Sequence, residues 1–504
     1  MEFWLLITLT ISLSVTIAYL LINITTKNKK SKLPPGPPTI LGNLTLLRTS
    51  LFDLTQTLRR LRSIYGPIFT IHIGFRPLIF ITDRDLAHRV LIRNGATFAD
   101  RPPPLEPNPT IISSSYSPRW RLLRRNLLSN VLHPSRVRSH ANSRKSVLRY
   151  LAEDLTSQAR TRGGLCVPVE SFRRAMFRLL VLMCFGGDLG EGVIKDIEEV
   201  EGEMILHFGK LDVFASMPRL MKLIFRKRWE KLMEIRRRQE EVYLPLIEAR
   251  KRSAKNDALF IYADSLLELK LPPEEGGRGL NEREMVCLCS EFLAAGTDTT
   301  STALQWIMAN VVRGQRVQER ILEEVRDVVR EEAEKVKEEE IQRMPYVKAV
   351  VLEGLRRHPP GHFVLPHAVS EEVCVDGYVI PKNATVNFTV AEMGWDEKVW
   401  EEPMEFRPER FLSGGEVAEG VDITGSREIK MMPFGVGRRI CPGMGLALLH
   451  LEYFVANLVR EFEWKAVEGE EIDFAEKVEL TVVMKNPLRA KIVPRARVVV
   501  HYEC

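Results

Sequence analysis

The sequence predicts a mainly α-helical fold with small β-sheets, in the α+β class. Periodic apolar residues indicate helices over 120–131, 145–160, 172–184, 227–252, 281–312, 315–333 and 345–357. Runs of β-branched residues indicate a hairpin over 67–82 and further strands over 373–380, 384–389 and 478–484. Because helices and strands do not alternate regularly along the chain, this order disfavours a parallel α/β fold.

Length and composition indicate one large domain. The chain has 504 residues, of which 45% are hydrophobic, and no Gly/Ser-rich or Pro-rich linker divides it after residue 45. We therefore expect a single domain over 46–504. The net charge of +6 is dispersed, which argues against a nucleic-acid partner. Seven cysteines, an odd number without paired spacing, predict a reducing compartment and no disulfide framework.

The amino-terminal residues 1–24 predict a membrane anchor. They are apolar over about 20 residues, the length of a helix that crosses a bilayer. Basic residues follow this run instead of preceding it, which argues against a cleaved signal peptide and places the body on the cytosolic side. The basic and proline-rich segment 25–45 predicts a stiff hinge, since its prolines exclude helix.

A glycine-rich loop, PFGVGRRICPG at 433–443, contains one cysteine, Cys441. Its glycines permit tight backbone turns, and an apolar helical pattern begins directly after it. Amides at a helix amino terminus stabilise a thiolate, and Arg438 and Arg439 add positive charge. We therefore expect this loop to hold a soft metal such as iron or copper. A buried structural cysteine beside a glycine turn is the alternative.

Glu353 and Arg356 are three residues apart in a predicted helix, so their side chains lie on one face. A surface ion pair contributes little stability, but the apolar residues 350–352 indicate that this pair is buried. A buried pair needs further hydrogen bonds, and Arg410 in FRPERF is the candidate third member.

The stretch AAGTDTTS at 294–301 places polar residues inside an apolar helix. Gly296 in a helix interior costs about 1 kcal/mol relative to alanine, and the Thr299 hydroxyl can bond back to carbonyl 295 and bend the helix. Together they predict a widened groove, beside which Asp298 and Thr299 are placed to relay protons. An ordinary polar helix face is the alternative.

Trp120 and Arg124 in RWRLLRRN are four residues apart and share a helix face. From that face both side chains can donate hydrogen bonds to a bound carboxylate. The same basic pattern also occurs on solvated helix faces, so these two residues do not identify a site by themselves.

Together these motifs resemble the cytochrome P-450 superfamily of haem-thiolate monooxygenases, along essentially the whole chain. The matching residues are Trp120 with Arg124, residues 295–300 of A-G-x-D-T-T, Glu353 and Arg356 with Arg410, and Phe434, Gly437, Arg439, Cys441 and Gly443 of the cysteine loop. The anchor and the PPGPP hinge are similar to those of plant microsomal members. Stretches such as VVLEGLRRHPPGHF resemble plant family 89, subfamily A.

The resemblance implies the cytochrome P-450 fold and a bound haem b, iron protoporphyrin IX, with Cys441 as the metal ligand. A thiolate ligand donates electron density that favours O–O cleavage. The other residues implied at the haem are Trp120, Arg124, His367, Phe434, Arg439 and Gly443. Many relatives carry an arginine where this chain has His367, so this propionate contact depends on histidine protonation.

The implied reaction uses O2 and electrons from NADPH, which an NADPH–cytochrome reductase delivers, with Asp298 and Thr299 as the proton relay. Basic residues such as Arg121, Arg125 and Arg438 would dock the acidic reductase. The implied location is the endoplasmic reticulum membrane, with the catalytic domain facing the cytosol. The alternatives are a haem-thiolate isomerase or dehydratase that needs neither O2 nor reductase, a non-catalytic electron-transfer haem protein, and an anchored binding protein without haem.

The resemblance also implies where a substrate binds. The implied pocket residues are Phe292, Ala295, Phe363, Val364 and Val482. They are apolar, as is usual in small-molecule pockets. The expected substrate is therefore a hydrophobic plant metabolite, and a tetrapyrrole catabolite, a terpenoid and an alkaloid all stay open.

Overall fold

The helices of this computed structural model follow the predicted order closely. The structure describes residues 12, 14–16, 33–38, 51–73, 76–104, 108–187, 189–208, 218–252, 259–330, 333, 335–415 and 421–495. Apart from residues 12 and 14–16, the predicted anchor over 1–24 lies outside this set, as does most of the hinge over 25–45. Within the described ranges, no helix is both long and apolar enough to cross a membrane.

The elements are numbered in chain order. The helices are α1 (Leu51–Tyr65), α2 (Arg84–His88), α3 (Pro118–Asn130), α4 (Pro134–Ser139), α5 (Ala141–Thr161), α6 (Val169–Phe185), α7 (Glu191–Phe208), α8 (Pro218–Ile224), α9 (Arg226–Arg252), α10 (Tyr262–Leu267), α11 (Glu282–Arg313), α12 (Gln315–Val328), α13 (Glu338–Ile341), α14 (Pro345–Arg357), α15 (Val390–Gly394) and α16 (Met444–Glu461). The strands are β1 (Ile68–Ile73), β2 (Arg76–Ile81), β3 (Leu165–Cys166), β4 (His367–Ala368), β5 (Val373–Val375), β6 (Tyr378–Ile380), β7 (Thr385–Phe388), β8 (Phe462–Lys465), β9 (Glu476–Val478), β10 (Val482–Met484) and β11 (Ala490–Pro494).

Helix α11 is the central element of the fold. It begins at a capping box in which Asn281 and Glu284 satisfy each other's backbone amides, and it continues for 32 residues. It packs against α6, α9, α14 and α16. Its first half joins a hydrophobic cluster with α3, α6, α7 and α9, and its second half joins another with α5, α12, α14 and α16. The polar stretch 294–301 therefore lies where the two clusters meet.

The sheets are small and lie beside the helices. The largest has the order β1-β2-β7-β4, in which β2 and β7 are parallel and the other pairs are antiparallel. Three strands form the sheet β3-β11-β8, and β5-β6 and β9-β10 are two-stranded. The α+β prediction is therefore confirmed. The strands predicted over 373–380 and 478–484 are wrong in extent. Residues 376–377 form the turn of the β5-β6 hairpin, and residues 479–481 form the turn of the β9-β10 hairpin.

The described part of the hinge, residues 33–38, lies against β1. Pro34 is buried, and the Pro35 carbonyl accepts a 2.8 Å hydrogen bond from the Thr70 amide. A Cβ on Gly36 would lie 1.9 Å from the Thr70 carbonyl oxygen, so no larger residue fits without moving the chain. This end of the hinge is therefore fixed to the domain surface by backbone contact.

Candidate functional site

The cysteine loop, residues 433–443, is closed by its own backbone. The Cys441 amide donates a 2.9 Å hydrogen bond to the carbonyl of Phe434. Gly437 has a φ of +75°, and a Cβ there would lie 2.3 Å from the Leu91 carbonyl oxygen. Glycine is therefore required both by the turn and by the close approach of the segment after α2.

The Cys441 side chain is solvent-accessible yet surrounded by protein atoms, as at the bottom of a cleft. It precedes Gly443, the residue that caps the amino terminus of α16. Burial raises the pKa of the Cys441 thiol, while a hydrogen bond from the Gly443 amide and the charge of Arg124 act to lower it. Because burial outweighs the other two, the loop by itself does not deprotonate the sulfur. The thiolate at Cys441 therefore stays a prediction, and a bound metal cation would supply the charge that stabilises it.

The two loop arginines point away from the sulfur. Arg438 donates to the Tyr116 hydroxyl, and Arg439 donates to the carbonyls of Ala99 and Ser114, both at 2.6 Å. The expectation that they charge the cysteine environment is therefore wrong, because the cation that acts on Cys441 is Arg124 on α3.

Trp120, Arg124 and Arg439 lie together, as the sequence predicted. The Arg439 and Arg124 guanidinium groups lie 4.4 and 5.5 Å from the centre of the Trp120 ring. The Trp120 indole N–H donates to the Ile111 carbonyl at 3.1 Å. Arg124 donates to the carbonyl of Ile440, which directly precedes the cysteine. Neither arginine forms an ion pair in the described part of the chain, so both are available to an anion.

Sequence reasoning missed a third arginine of this cluster, Arg101. Its Nε donates to the Ile112 carbonyl at 3.0 Å, and its Nη1 donates to the carbonyls of Leu365 and Pro366, both at 2.8 Å. Burial lowers the pKa of Arg101 to about 10, and burial with repulsion from Arg101 lowers that of Arg439 to about 9. Such concentrated positive charge fits the carboxylates of a ligand. The available signal was the arginine between Asp100 and three prolines in FADRPPP.

His367 belongs to the same cluster but is uncharged. Burial and the charges of Arg101 and Arg439 lower its pKa to about 3, although a hydrogen bond to the Phe98 carbonyl opposes them. Its Nδ1 lies 2.6 Å from that carbonyl, so Nδ1 carries the proton and Nε2 carries a lone pair. The expected contact of His367 with a propionate therefore stays a prediction, and it requires protonation of Nε2, because this tautomer has no second donor.

On α11, Ala295 and Thr299 are exposed although neighbouring positions are buried, so this face opens onto a groove. The Thr299 hydroxyl donates to the Ala295 carbonyl at 2.8 Å, as predicted. Gly296 does not widen the groove. A Cβ at Gly296 would lie 2.7 Å from the Leu180 side chain, so this glycine permits close packing of α6 on α11.

Asp298 is directed toward α6. Its Oδ1 accepts a 3.0 Å hydrogen bond from Nε of Arg173, and its side chain is 13% exposed. Its Oδ2 is buried without a hydrogen-bond partner among the residues that the structure describes. The predicted pairing of Asp298 with Thr299 along one groove is therefore incomplete, because the two neighbouring side chains leave the helix in different directions.

The buried Glu353–Arg356 pair is present with its third member. Arg356 donates two hydrogen bonds to Glu353, of 2.6 and 2.8 Å, and both side chains are fully buried. The remaining Arg356 donors reach the carbonyls of Gly394, Pro403 and Glu405. Arg410 approaches Glu353 at 3.4 Å. This saturated network ties α14 to the segment 394–410 and positions the chain that leads to the cysteine loop.

The expected pocket residues are only partly brought together. Val364 lies beside the cysteine loop, since a Cβ on Gly435 would lie 3.8 Å from its side chain. Phe292 packs on Tyr262 of α10, and Phe363 packs edge-on against Phe80 of β2. The prediction that Val482 lines the pocket is wrong. Its side chain is only 3% exposed, so it belongs to the core and does not line a cleft.

The described residues hold no group of three or more His, Cys, Asp or Glu side chains that would bind a metal. A metal at this site would therefore have one protein ligand, Cys441, and its remaining ligands would come from a cofactor. Cys287 and Cys289, which form the C-x-C pair on α11, are both buried in the core.

Comparison with known proteins agrees with this geometry. The cytochrome P450 family model matches residues 33–493. Cytochrome P450 89A9 of Arabidopsis thaliana is 47% identical over 92% of this chain and 94% of its own length. A flavonoid 3'-monooxygenase of Crocosmia x crocosmiiflora is 30% identical over 96% of this chain and 97% of its own length.

Solved structures show the same fold at low identity. A zebrafish cytochrome P450 with progesterone has a TM-score of 0.73 at 20% identity, covering 89% of this chain and all of that one. A cyanobacterial cytochrome P450 with retinoic acid has the same TM-score of 0.73 at 20% identity, covering 92% of this chain and 99% of that one. From the family match over nearly the whole chain and the identity to a family 89 member, this chain belongs to the cytochrome P450 family and is an oxidoreductase of the monooxygenase class.

Proposed function

We propose that this protein is a membrane-anchored monooxygenase that hydroxylates or otherwise oxidises a hydrophobic plant metabolite. The observation that carries the proposal is Cys441, an accessible cysteine before the amino terminus of α16 with the Arg124 charge beside it. The donor chemistry fits haem b, because Cys441 supplies one sulfur ligand for iron. Arg101, Arg124 and Arg439 supply positive charge for two propionates.

Bound haem would supply the reductive activation of O2, with electrons that NADPH provides through a cytochrome reductase. The protein's own residues orient the substrate, exclude water and move protons. The exposed Thr299 hydroxyl on the α11 groove is the proposed proton donor to the site. Asp298, which points toward Arg173 on α6, is proposed to resupply the proton from that side of the helix. This arrangement favours the monooxygenase over a haem-thiolate isomerase, which needs no proton relay to oxygen.

The proposed partners follow from the surface and the amino terminus. Arg121, Arg125 and Arg438 are exposed on and beside the cysteine loop and are proposed to dock an acidic reductase, with an affinity that falls as salt rises. Residues 1–24 are proposed to anchor the protein in the endoplasmic reticulum with the catalytic domain in the cytosol. Ala295, Val364 and Phe363 offer an apolar lining, which suits a tetrapyrrole catabolite, a terpenoid or an alkaloid.

The test uses microsomes that contain the full-length protein and a plant reductase, with fractionated plant metabolites, NADPH and 18O2. Mass spectrometry is expected to find a product that gains one labelled oxygen only when NADPH is present. A product without added oxygen, formed in the absence of NADPH, would assign the isomerase class instead.

Two cysteine variants make the test specific. Cys441→Ala is expected to abolish both the haem absorption band and the product. Cys374→Ala removes an exposed cysteine on β5 and is expected to change neither. Haem binding and product formation that survive in Cys441→Ala would overturn the proposed ligand.

A further inference from the structure

The loop at residues 108–116 holds the arginine cluster through its backbone. Three of its carbonyl oxygens are acceptors for side chains of the site. They are Ile111, which accepts from Trp120 at 3.1 Å and from Arg439 at 3.2 Å, Ile112, which accepts from Arg101 at 3.0 Å, and Ser114, which accepts from Arg439 at 2.6 Å. The position of this loop therefore sets the positions of the cluster side chains.

A single carboxylate joins this loop to α11. Oε1 of Glu291 accepts a 3.0 Å hydrogen bond from the Ile111 amide, and Oε2 accepts a 2.8 Å hydrogen bond from the Ile112 amide. Each oxygen thus binds one of two consecutive amides. The same two residues use their carbonyls for the arginine cluster and their amides for the helix.

Glu291 also lies on the groove side of α11. It precedes Ala295 by four residues and Thr299 by eight, so the three positions form one row along the helix. Ala295 and Thr299 are exposed on the groove. The loop is therefore fastened to the same helix face that carries the Thr299 hydroxyl, about two turns from it.

The buried Glu291 carboxylate needs hydrogen bonds from both the Ile111 and the Ile112 amides. Burial raises the pKa of Glu291 to about 7, while hydrogen bonds from the Thr110 hydroxyl and from the Ile112 and Ile111 amides, and the charge of Arg101, act to lower it. A carboxylate in this place is therefore stabilised chiefly by the loop that it holds. A side chain with only one acceptor oxygen would leave one amide unpaired.

We infer that Glu291 is a positioning residue that clamps loop 108–116 onto α11 and, through the loop carbonyls, places Arg101 and Arg439. The clamp itself is independent of the reaction, whereas its effect on haem retention rests on the proposed function. Each of its oxygens accepts from a backbone amide, so we assign Glu291 a positioning role and no chemical step.

The chain contains a matched control for this clamp. Glu324 on α12 also accepts from two consecutive amides, those of Tyr346 and Val347, at 2.7 and 2.9 Å. Burial raises its pKa as well. Its partners lie at the start of α14, and it has no hydrogen bond to the loop or to the arginine cluster. Glu324→Gln therefore removes the same kind of carboxylate–amide contact, but at a position away from the loop.

The experiment is hydrogen exchange by mass spectrometry on the full-length holoenzyme, together with the rate of haem transfer to excess apomyoglobin. Glu291→Gln is expected to speed exchange at the Ile111 and Ile112 amides by about tenfold, the effect of losing one charge-assisted hydrogen bond. It is also expected to speed haem transfer about threefold or more. Glu324→Gln is expected to change exchange only near residues 345–348.

Each result decides one part of the inference. Unchanged exchange at the Ile111 and Ile112 amides in Glu291→Gln would overturn the clamp. An equal increase in the exchange of these two amides in Glu324→Gln would overturn it as well. Faster exchange with unchanged haem transfer in Glu291→Gln would support the clamp but would overturn the claim that the clamp positions the arginines. Both readouts are independent of substrate and turnover, so they stand even if no monooxygenase product is found.

Discussion

Arg173 donates a 3.0 Å hydrogen bond to Asp298 and thereby joins α6 to the residue next to Thr299. Burial raises the pKa of Asp298, and the charge and hydrogen bond of Arg173 act to lower it. The other charged groups that act on this carboxyl, Glu170 and Glu479, raise its pKa. Arg173 is thus the group that favours the carboxylate form.

Removal of Arg173 is expected to shift the pH dependence of proton delivery upward. In Arg173→Gln the positive charge that opposes burial is lost, so Asp298 is expected to keep its proton to a higher pH. The measurement is peroxide released per NADPH across pH 6 to 9. The midpoint pH of the peroxide profile should move upward in Arg173→Gln. In the control Arg174→Gln, which replaces the exposed neighbouring arginine, the midpoint should stay in place. Equal midpoints in both variants would remove Arg173 from the relay.

Thr299 and Thr297 provide a matched pair for the relay. Both donate their hydroxyls to the carbonyl four residues earlier, at 2.8 Å, but Thr299 is exposed on the groove and Thr297 is 2% exposed. Thr299→Ala is expected to retain haem and to lower the product formed per NADPH on the order of tenfold, with the electrons appearing as peroxide. Thr297→Ala should stay close to the unmodified protein. Similar losses in the two variants would indicate a general helix effect.

Replacement of Arg356 by lysine is expected to destabilise the fold severely. Lysine cannot reproduce the two-pronged contact with Glu353, and it would leave a buried carboxylate and three carbonyls short of donors. The expected cost is about 3–5 kcal/mol in the free energy of unfolding, measured by urea denaturation. Arg357→Lys, at the next position, should cost less than about 1 kcal/mol. A mild effect of Arg356→Lys would show that the pair is not structural.

Gly296 and Gly202 should respond in opposite ways to alanine. A Cβ at Gly296 would lie 2.7 Å from Leu180, whereas a Cβ at Gly202 in α7 would meet only Arg173, at 4.0 Å. Gly296→Ala is therefore expected to lower the free energy of unfolding by about 1–3 kcal/mol through overpacking. Gly202→Ala is expected to raise it by up to about 1 kcal/mol through helix propensity. Thermal unfolding of the two variants measures the difference, and stabilisation by both would disprove the close-packing role of Gly296.

Features that depend on neighbours in the sequence were predictable. The apolar periodicity that predicted α11 and α14 and the glycines of the cysteine loop define local geometry within one or two turns. The Glu353–Arg356 pair follows from its spacing of three residues and its apolar surroundings. The bond from Thr299 to the Ala295 carbonyl has the same local origin, because both atoms belong to one helical turn.

Features that depend on contacts between distant segments were not predictable in this way. Arg173 meets Asp298 across 125 residues, and Glu291 meets Ile111 across 180. The protonation of His367 and of Cys441 depends on burial and on charges from Arg101, Arg439 and Arg124, none of which a local pattern reveals.

The sequence by itself determined the helical α+β class, the cysteine that is positioned as a metal ligand and the buried acid–arginine pair. Only the tertiary structure decided which way Asp298 points, why Gly296 is glycine, that Arg101 completes the cluster and that Val482 belongs to the core. The physical reason is that periodicity places a side chain on a face of its own element. What that face meets, and how much water remains there, is set by packing among elements far apart in the chain.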